Sequence, residues 1–416
     1  MNTKLHRENT LDIMQDNSIL VLHSGIAHHT NEDDYYPFEE NSSFFWMTGS
    51  ERQKQSVVLM KVNGVRTERI FIEETDPFME RWTGKMPTKE EMAELADTSV
   101  DNIGYMSELD TYLSRNVDMH NLDVAYFDTY RCEPEDMDDY NVLVAKKFHE
   151  TYPHIRIASL RPLVGKLRRI KDQDEIDDIC KAISITDKAI KDMLTKLKPG
   201  MKEYQAQAIF EASCRYQGAT RFSFGTIAGS GINACSMHYS TNRDEIQDGD
   251  LVLFDLGAKY NNYCSDISRT YPANGKFTER QREVYEIVLE ANKAVKAAAR
   301  PGLTTRDLNE ITKEVLGKGL IRLGLIDDIS EVGKYYMHGV SHFIGIDCHD
   351  IAVEDTVLRP GSVISDEPGL YINEEKIGIR IEDDLMITED GCICLSEGVM
   401  READEIESFM AAYNEK

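Results

Sequence analysis

The second half of the chain contains one four-part pattern twice, and this repeat restricts the fold more than any other feature of the sequence. Each copy has two helical stretches joined at a Pro-Gly pair, a glycine-rich stretch with histidines, and a turn into apolar strands. The glycine-rich stretches are residues 222–240 and 335–350, and the strands after them lie at 246–257 and 358–369. A supersecondary unit that occurs twice predicts a domain with two related halves around a pseudo-twofold axis.

An acidic residue occupies a corresponding place in the apolar strands of each copy. Asp255 lies in LVLFDLG, and Glu367 lies in VISDEPG. A second acid follows on the returning strand of each copy, Asp266 in the first and Glu382 in the second. If the first hairpin turns at Tyr260-Asn261, Asp255 and Asp266 are directly opposed, with their Cβ atoms about 4.5–5.5 Å apart.

The pseudo-twofold axis would bring these four carboxylates together at the centre of the domain. Like charges at such a distance repel, and an apolar surrounding makes ionisation costlier still. Each pair therefore either shares a proton or holds a cation between its members. Full neutralisation of four buried negative charges requires about two divalent cations.

Three histidines in the second glycine-rich stretch could complete a metal site. The spacing of His338 and His342 resembles an HxxxH pair, but the zincin glutamate is missing and the flanking glycines disfavour a helix. With His349, they offer nitrogen ligands beside the acids, a mixture that suits Mn, Co, Fe or Zn. Two such metals bridge a water and polarise a carbonyl, so the residues predict hydrolysis of an amide or ester.

Residues 1–168 predict a smaller α/β domain that precedes the repeat. Apolar stretches at 18–25 and 44–49 are interpreted as buried strands, and Asn63-Gly64 between two β-rich arms predicts a hairpin. A chain of 416 residues is too long for one ordinary domain, so we expect a second, catalytic domain at 169–416.

Charge and cysteine usage exclude several classes of partner. The chain has 47 basic and 74 acidic residues, a formal charge of -27 that disfavours nucleic acid and anionic membrane surfaces. No apolar run approaches the length of a membrane span, and the N-terminal residues contain no secretory signal. The eight cysteines are scattered without zinc-type pairs. These features predict reduced thiols and a cytoplasmic location.

Four motifs resemble the signatures of the M24 metallopeptidases, specifically aminopeptidase P and prolidase. They are DLGAKYNNYCSDISRTYP (255–272), HGVSHFIGIDCHD (338–350), EPGLYI (367–372) and GIRIEDD (378–384). The resemblance covers nearly the whole chain. It implies the α/β (α+β) class, with a smaller N-terminal domain and a pseudo-symmetric C-terminal catalytic domain of the pita-bread fold.

The resemblance also implies a site with two divalent metal ions, usually Mn2+, with Co2+, Zn2+ and Fe2+ as alternatives. The five implied metal ligands are Asp255, Asp266, His342, Glu367 and Glu382. The implied catalytic residues are Glu367, as proton shuttle, and His238 and His349, which would face the scissile carbonyl. The implied substrate-binding residues, on the proline side, are His338, Tyr371 and Arg380. Arg380 lies two residues before Glu382 on the same strand, so it could equally orient a carboxylate.

The family activity that the resemblance implies is removal of an N-terminal residue that precedes proline. Its partners would be peptides with proline at the second position, and the enzyme would be a homodimer or homotetramer. A prolidase, which cleaves only Xaa-Pro dipeptides, is the alternative that the sequence separates least well. A creatinase-like amidinohydrolase or an inactive peptide-binding module would lack some of the five ligands, and all five are present here.

Three positions depart from the family pattern or lie outside the motifs. The family carries Thr and an apolar residue before EPG, whereas this chain has Ser365 and Asp366. A serine hydroxyl can replace that of threonine, and alternation along the strand predicts that Asp366 faces away from Glu367. By resemblance, Trp82 covers the mouth of the active site.

Overall fold

The chain folds into two compact units, Met1–Leu167 and Arg168–Lys416. The structure, a computed structural model, describes residues 1–351 and 357–414. Both units combine helices with β-sheet, which confirms the predicted α/β class. Among the helices of the described residues, none combines the length with the apolar composition of a membrane span.

The first unit, whose residues are all described, is built on one six-stranded sheet. The strands are β1 (Ser18–His23), β2 (Ser56–Val62), β3 (Val65–Ile72), β4 (Ile103–Tyr105), β5 (Val124–Phe127) and β6 (Arg156–Ser159), in the order β4-β3-β2-β1-β5-β6. The helices are α1 (Thr3–Ile13), α2 (Ser42–Thr48), α3 (Glu80–Thr83), α4 (Lys89–Leu95), α5 (Met106–Met119), α6 (Tyr140–Thr151) and α7 (Arg161–Arg168). One face of the sheet packs on α5 and α6 through buried aliphatic and aromatic side chains.

The predicted hairpin at Asn63-Gly64 is confirmed. It joins β2 to β3, and both turn residues have positive φ, 50° and 76°, as a two-residue turn with this twist requires.

The predicted strand at 44–49 is wrong, because these residues form α2. The side chain of Asn41 accepts hydrogen bonds from the backbone N–H groups of Ser43 and Phe44 and so caps the helix N-terminus. Gly49 ends the helix in the left-handed conformation, with φ of 74°. A short, wholly buried apolar run has the same pattern in a strand and in a helix, so only these caps distinguish the two.

The described part of the second unit repeats a helix pair followed by antiparallel strands. Its helices are α8 (Gln173–Leu194), α9 (Glu203–Tyr216), α10 (Glu279–Ala298), α11 (Thr305–Arg322) and α12 (Ala403–Asn414). Its strands are β7 (Arg221–Phe222), β8 (Ile227–Ser230), β9 (Leu251–Leu256), β10 (Ala258–Tyr260), β11 (Tyr263–Cys264), β12 (Ile267–Pro272), β13 (Val363–Asp366), β14 (Gly369–Ile372), β15 (Ile377–Arg380), β16 (Asp383–Ile387) and β17 (Cys392–Cys394). The pair α8–α9 precedes β9 and β12, and α10–α11 precedes β13 and β16, in the predicted order.

The predicted turn of the hairpin that contains Asp255 and Asp266 is wrong by one residue, and so is the strand register that follows from it. The turn residues are Asn261 and Asn262, which both have positive φ, 45° and 65°. Asparagine tolerates this conformation better than tyrosine, so the turn excludes Tyr260. As a result Ser268, and not Asp266, lies directly opposite Asp255.

Asp266 lies in a break between β11 and β12. The backbone of Gly257 packs directly against Ser265, the residue before Asp266. A Cβ atom on residue 257 would overlap the carbonyl oxygen of Ser265 and come within 2.8 Å of the Ser223 hydroxyl. Glycine is therefore required at the point where the chain changes from β9 to β10.

We expect Gly257→Ala to lower the melting temperature, because overpacking of this kind costs about 1–3 kcal/mol. Thermal unfolding of the purified variant measures the effect. Gly333→Ala is the matched control, since a Cβ there has no neighbour within 4 Å. Equal melting temperatures for the two variants would contradict the packing described here.

Candidate active site

One cavity of about 660 Å³ in the second unit contains nearly all of the predicted site residues. Those that line it are Asp255, Asp266, Glu367, Glu382, His238, His338, His342, His349 and Arg380. Phe224, Ile227 and Met237 add an apolar side to the same cavity. Tyr371 does not belong to the lining, because its ring is buried behind His338.

Three acids and one imidazole converge at the acidic end of this cavity. Potential ligand atoms of Asp266, His342 and Glu382 all lie within 4.8 Å of one another. The Nε2 atom of His342 is 3.4 Å from Asp266 Oδ2 and 3.4 Å from Glu367 Oε1. The acids lie at strand ends: Glu367 follows β13, Glu382 lies between β15 and β16, and Asp266 immediately precedes β12.

Asp255 reaches the same end of the cavity from β9. Its Oδ2 atom accepts a hydrogen bond of 2.6 Å from Arg380 Nη2. Its Oδ1 atom is buried and has no hydrogen-bond partner in the part of the chain that the structure describes. A buried carboxylate oxygen without a hydrogen-bond partner, in a cavity lined by three other carboxylates, is suited to bind a cation.

Ser268 connects Arg380 to Glu382. Arg380 Nε donates to Ser268 Oγ at 2.7 Å, and Ser268 Oγ donates to Glu382 Oε2 at 2.7 Å. Sequence reasoning did not identify Ser268, because the register that it assumed placed Asp266 opposite Asp255. With the correct turn at Asn261-Asn262, the position of Ser268 follows from counting along the hairpin.

Burial and mutual repulsion disfavour ionisation of this cluster. Burial raises the pKa of Glu382 well above its usual range, and the charges of Asp266 and Glu367 raise it further. Burial also raises the pKa of Asp255, although the Arg380 guanidinium opposes this effect. Burial raises the pKa of Glu367 to about 7, against the attraction of His342. These acids therefore require protons or cations to be stable together.

In contrast to the acids, the imidazole of His342 favours its charged form. Burial disfavours its charged form, but its hydrogen bond with Asp266 and the charges of Asp266 and Glu367 raise its pKa to about 9. A second imidazole, that of His349, stacks on it with ring centroids 4.0 Å apart. Burial and the neighbouring charge of His342 lower the pKa of His349.

The other two histidines lie along the cavity wall. His338 Nε2 is 2.9 Å from the Tyr371 hydroxyl, which also accepts a hydrogen bond of 3.0 Å from Arg380 Nη1. Burial lowers the pKa of His338 to about 4, so this imidazole is neutral. His238 lies on an exposed stretch of chain after β8.

Cys348 is a lining residue that sequence reasoning did not assign to the site. Its Sγ atom lies 2.9 Å from Asp266 Oδ2. The residue stands within HGVSHFIGIDCHD, but a lone cysteine in that motif gives no signal of a contact with Asp266.

The two departures from the family pattern have different surroundings. Ser365 Oγ donates to Glu367 Oε1 at 3.3 Å and accepts a hydrogen bond of 2.9 Å from His342 N. Asp366 lies outside the cavity lining and is fully buried, with Asn292 Nδ2 donating to its Oδ2 at 3.2 Å. Trp82, on α3, is 77% exposed, and its role at an active-site mouth remains a prediction.

Comparison with known proteins gives matches in both parts of the chain. The family model for metallopeptidase family M24 matches residues 177–389. The family model for the aminopeptidase P N-terminal domain matches residues 3–125.

Individual relatives match over nearly the full length. The Xaa-Pro aminopeptidase of Escherichia coli K12 is 33% identical, over 98% of this chain and 96% of that protein. The Xaa-Pro aminopeptidase of Haemophilus influenzae is 32% identical, over 95% of this chain and 94% of that protein.

Solved structures show the same fold. A putative aminopeptidase P from Bacillus anthracis has a TM-score of 0.96 and 40% identity, over 99% of this chain and 98% of that chain. A zinc-substituted E. coli aminopeptidase P in complex with product has a TM-score of 0.88 and 31% identity, over 99% and 98% of the two chains. The chain therefore belongs to metallopeptidase family M24, the metal-dependent peptidases, and within that family to the aminopeptidase P group.

Proposed function

We propose that this protein is a Xaa-Pro aminopeptidase, which hydrolyses the bond between an N-terminal residue and a following proline. The observation that carries the proposal is the convergence of Asp255, Asp266, Glu367, Glu382 and His342 at one end of a single cavity. The near full-length similarity to the E. coli Xaa-Pro aminopeptidase supports the same substrate class.

We propose that these five side chains hold two divalent metal ions, with Mn2+ as the preferred ion and Co2+, Zn2+ or Fe2+ as alternatives. The unpartnered Oδ1 of Asp255 and the raised pKa of Glu382 support cations at this place. Oxygen-rich ligands with one imidazole suit this group of metals. Bound there, the ions would supply Lewis-acid polarisation of the scissile carbonyl and activation of water.

The protein side chains would move protons and hold the substrate. We assign the proton-shuttle role to Glu367, whose carboxylate lies in the cavity beside the other proposed ligands. His238 and His349 line the cavity beside this cluster, where we place the scissile carbonyl and its tetrahedral intermediate. His338, Tyr371 and Arg380 form one hydrogen-bonded group, to which we assign the proline side of the substrate. Arg380 would also orient Asp255 through their hydrogen bond.

The physical rationale for proline lies in its amide. A Xaa-Pro bond has no N–H, and the ring fixes the backbone φ angle. A site for this bond must recognise the ring and the free α-amine instead of an amide hydrogen.

A cytoplasmic location, a homodimer or homotetramer, and a domain boundary between residues 168 and 169 remain predictions from the sequence.

Substrate length tests the proposal directly. The Mn2+-loaded enzyme should release the first residue of a tripeptide Xaa-Pro-Yaa and should leave the matched tripeptide Xaa-Ala-Yaa intact, as measured by chromatography of the products. Cleavage of the dipeptide Xaa-Pro alone would instead make the protein a prolidase. No cleavage of any of these peptides, with metal bound, would contradict a peptidase function.

Metal affinity should rise with pH, because ligands must lose their protons to bind a cation. His342 has a pKa of about 9 and Glu367 a pKa of about 7 in the metal-free protein, so both hold protons at low pH that binding must displace. Each proton displaced makes affinity change up to about tenfold per pH unit below that pKa.

Calorimetric titration of the metal-free protein with Mn2+, in buffers of different ionisation enthalpy, counts the protons released. We expect release of about two or more protons near pH 6, since the raised pKa of Glu382 adds to those of His342 and Glu367, and weaker binding there than near pH 8. His349→Ala, which removes a cavity imidazole outside the proposed ligand set, should retain this pH dependence. Binding that is independent of pH and releases no protons would refute the assignment of His342 as a ligand.

A further inference from the structure

His238 lies at the cavity without support of its own. The residue is exposed, and its imidazole makes no hydrogen bond within the described residues. Its position therefore depends on how its backbone is held. The neighbouring residue, Tyr239, is partly buried and points the other way, into the protein.

The Tyr239 hydroxyl is hydrogen-bonded to a carboxylate that lies far from it in sequence. Its hydroxyl donates a hydrogen bond of 2.9 Å to Oε2 of Glu203, the first residue of α9. Glu203 is fully buried. A helix N-terminus favours a negative charge at this position, which offsets part of the cost of burying it.

The carboxylate of Glu203 accepts hydrogen bonds from residues along the whole loop that carries His238, residues 230–244. Glu203 Oε1 accepts hydrogen bonds from Ser230 N and Oγ, both at 2.8 Å, and from Asn233 Nδ2 at 3.1 Å. Glu203 Oε2 accepts a second bond from Asp244 N, at 2.9 Å. With Tyr239, these donors come from both ends and the middle of residues 230–244. Five hydrogen bonds from this loop converge on one buried side chain, so Glu203 is the anchor of the loop.

Asn233 links the donors to one another. Its Nδ2 atom also lies 3.1 Å from the Tyr239 hydroxyl and 2.8 Å from Asp244 Oδ2. The backbone N–H of Glu203 donates to Asp244 O at 3.0 Å, so the loop is tied to α9 through side chain and backbone.

We propose that Glu203 and Tyr239 are positioning residues, which fix His238 at the cavity wall by anchoring its loop to the start of α9. The inference rests on the proposed function, since it assumes that His238 acts on the scissile carbonyl. A displacement of a catalytic group by about 1 Å can cost about a hundredfold in rate, so an anchor of this kind matters for catalysis.

A double-mutant cycle tests the inference. Tyr239→Phe removes the hydroxyl and keeps the ring, and we expect kcat on a Xaa-Pro-Yaa tripeptide to fall about tenfold, with KM and metal content changed by less than about twofold. His238→Ala should lower kcat about a hundredfold. Because Tyr239 acts through His238, the double variant should be no slower than His238→Ala alone.

Tyr285→Phe is the matched control for loss of a buried phenol hydrogen bond. The Tyr285 hydroxyl donates to Arg401 O at 2.8 Å in the same unit, and Tyr285 does not line the cavity. Because Tyr285 is fully buried, this variant should lose at least as much stability in thermal unfolding as Tyr239→Phe and should keep the wild-type kcat. If Tyr239→Phe does not fold, Glu203→Gln, which is of equal size and uncharged, takes its place in the cycle.

The outcomes separate this inference from the proposed function. Wild-type kcat in the folded Tyr239 or Glu203 variant, or effects that multiply in the double variant, would overturn the positioning role while peptidase activity stands. A wild-type protein that binds metal but does not cleave Xaa-Pro-Yaa would refute the proposed function, and the positioning role with it.

Discussion

The second unit depends on one constraint, the concentration of negative charge at the end of its cavity. Asp255, Asp266, Glu367 and Glu382 are largely buried there. Among the described residues, the positive side chains that pair with the carboxylates of these four acids are Arg380 and His342. An uncompensated buried charge costs several kcal/mol, so the arrangement persists only if protons or cations complete it.

A second set of ion pairs, centred on Asp383, supports the chain next to Glu382. Arg269 on β12 donates to the backbone oxygen of Glu382 at 2.5 Å and to Asp383 Oδ1 at 2.7 Å. Arg401 donates to the other oxygen of Asp383 at 2.6 Å. These contacts join strands from both halves of the repeat and hold Glu382 from its backbone side. A rigid ligand set is the condition for precise placement of a metal and a substrate.

The sequence predicted those features that local chemistry determines. Asn63-Gly64 specifies its turn by itself, and acids at corresponding places in the two sets of apolar strands predicted that carboxylates would converge. Apolar pattern alone did not predict two other features. The helix α2 could be predicted only from its capping residues, and the turn at Asn261-Asn262 only from the preference of asparagine for positive φ. The anchor at Glu203 was beyond sequence reasoning, because an acid in the first turn of a helix is common. Its hydrogen bonds span up to 41 residues and appear only in the folded chain.

Anomalous diffraction from crystals grown with Mn2+ is the most direct test of the account. It should show two peaks about 3.5–4 Å apart, both in contact with Asp266 and Glu382. Such a pair of ions would supply the positive charge that the four acids lack. An absence of peaks at this end of the cavity, with the same acids still close together, would mean that protons alone stabilise them. That result would contradict the proposal that these side chains hold two divalent metal ions.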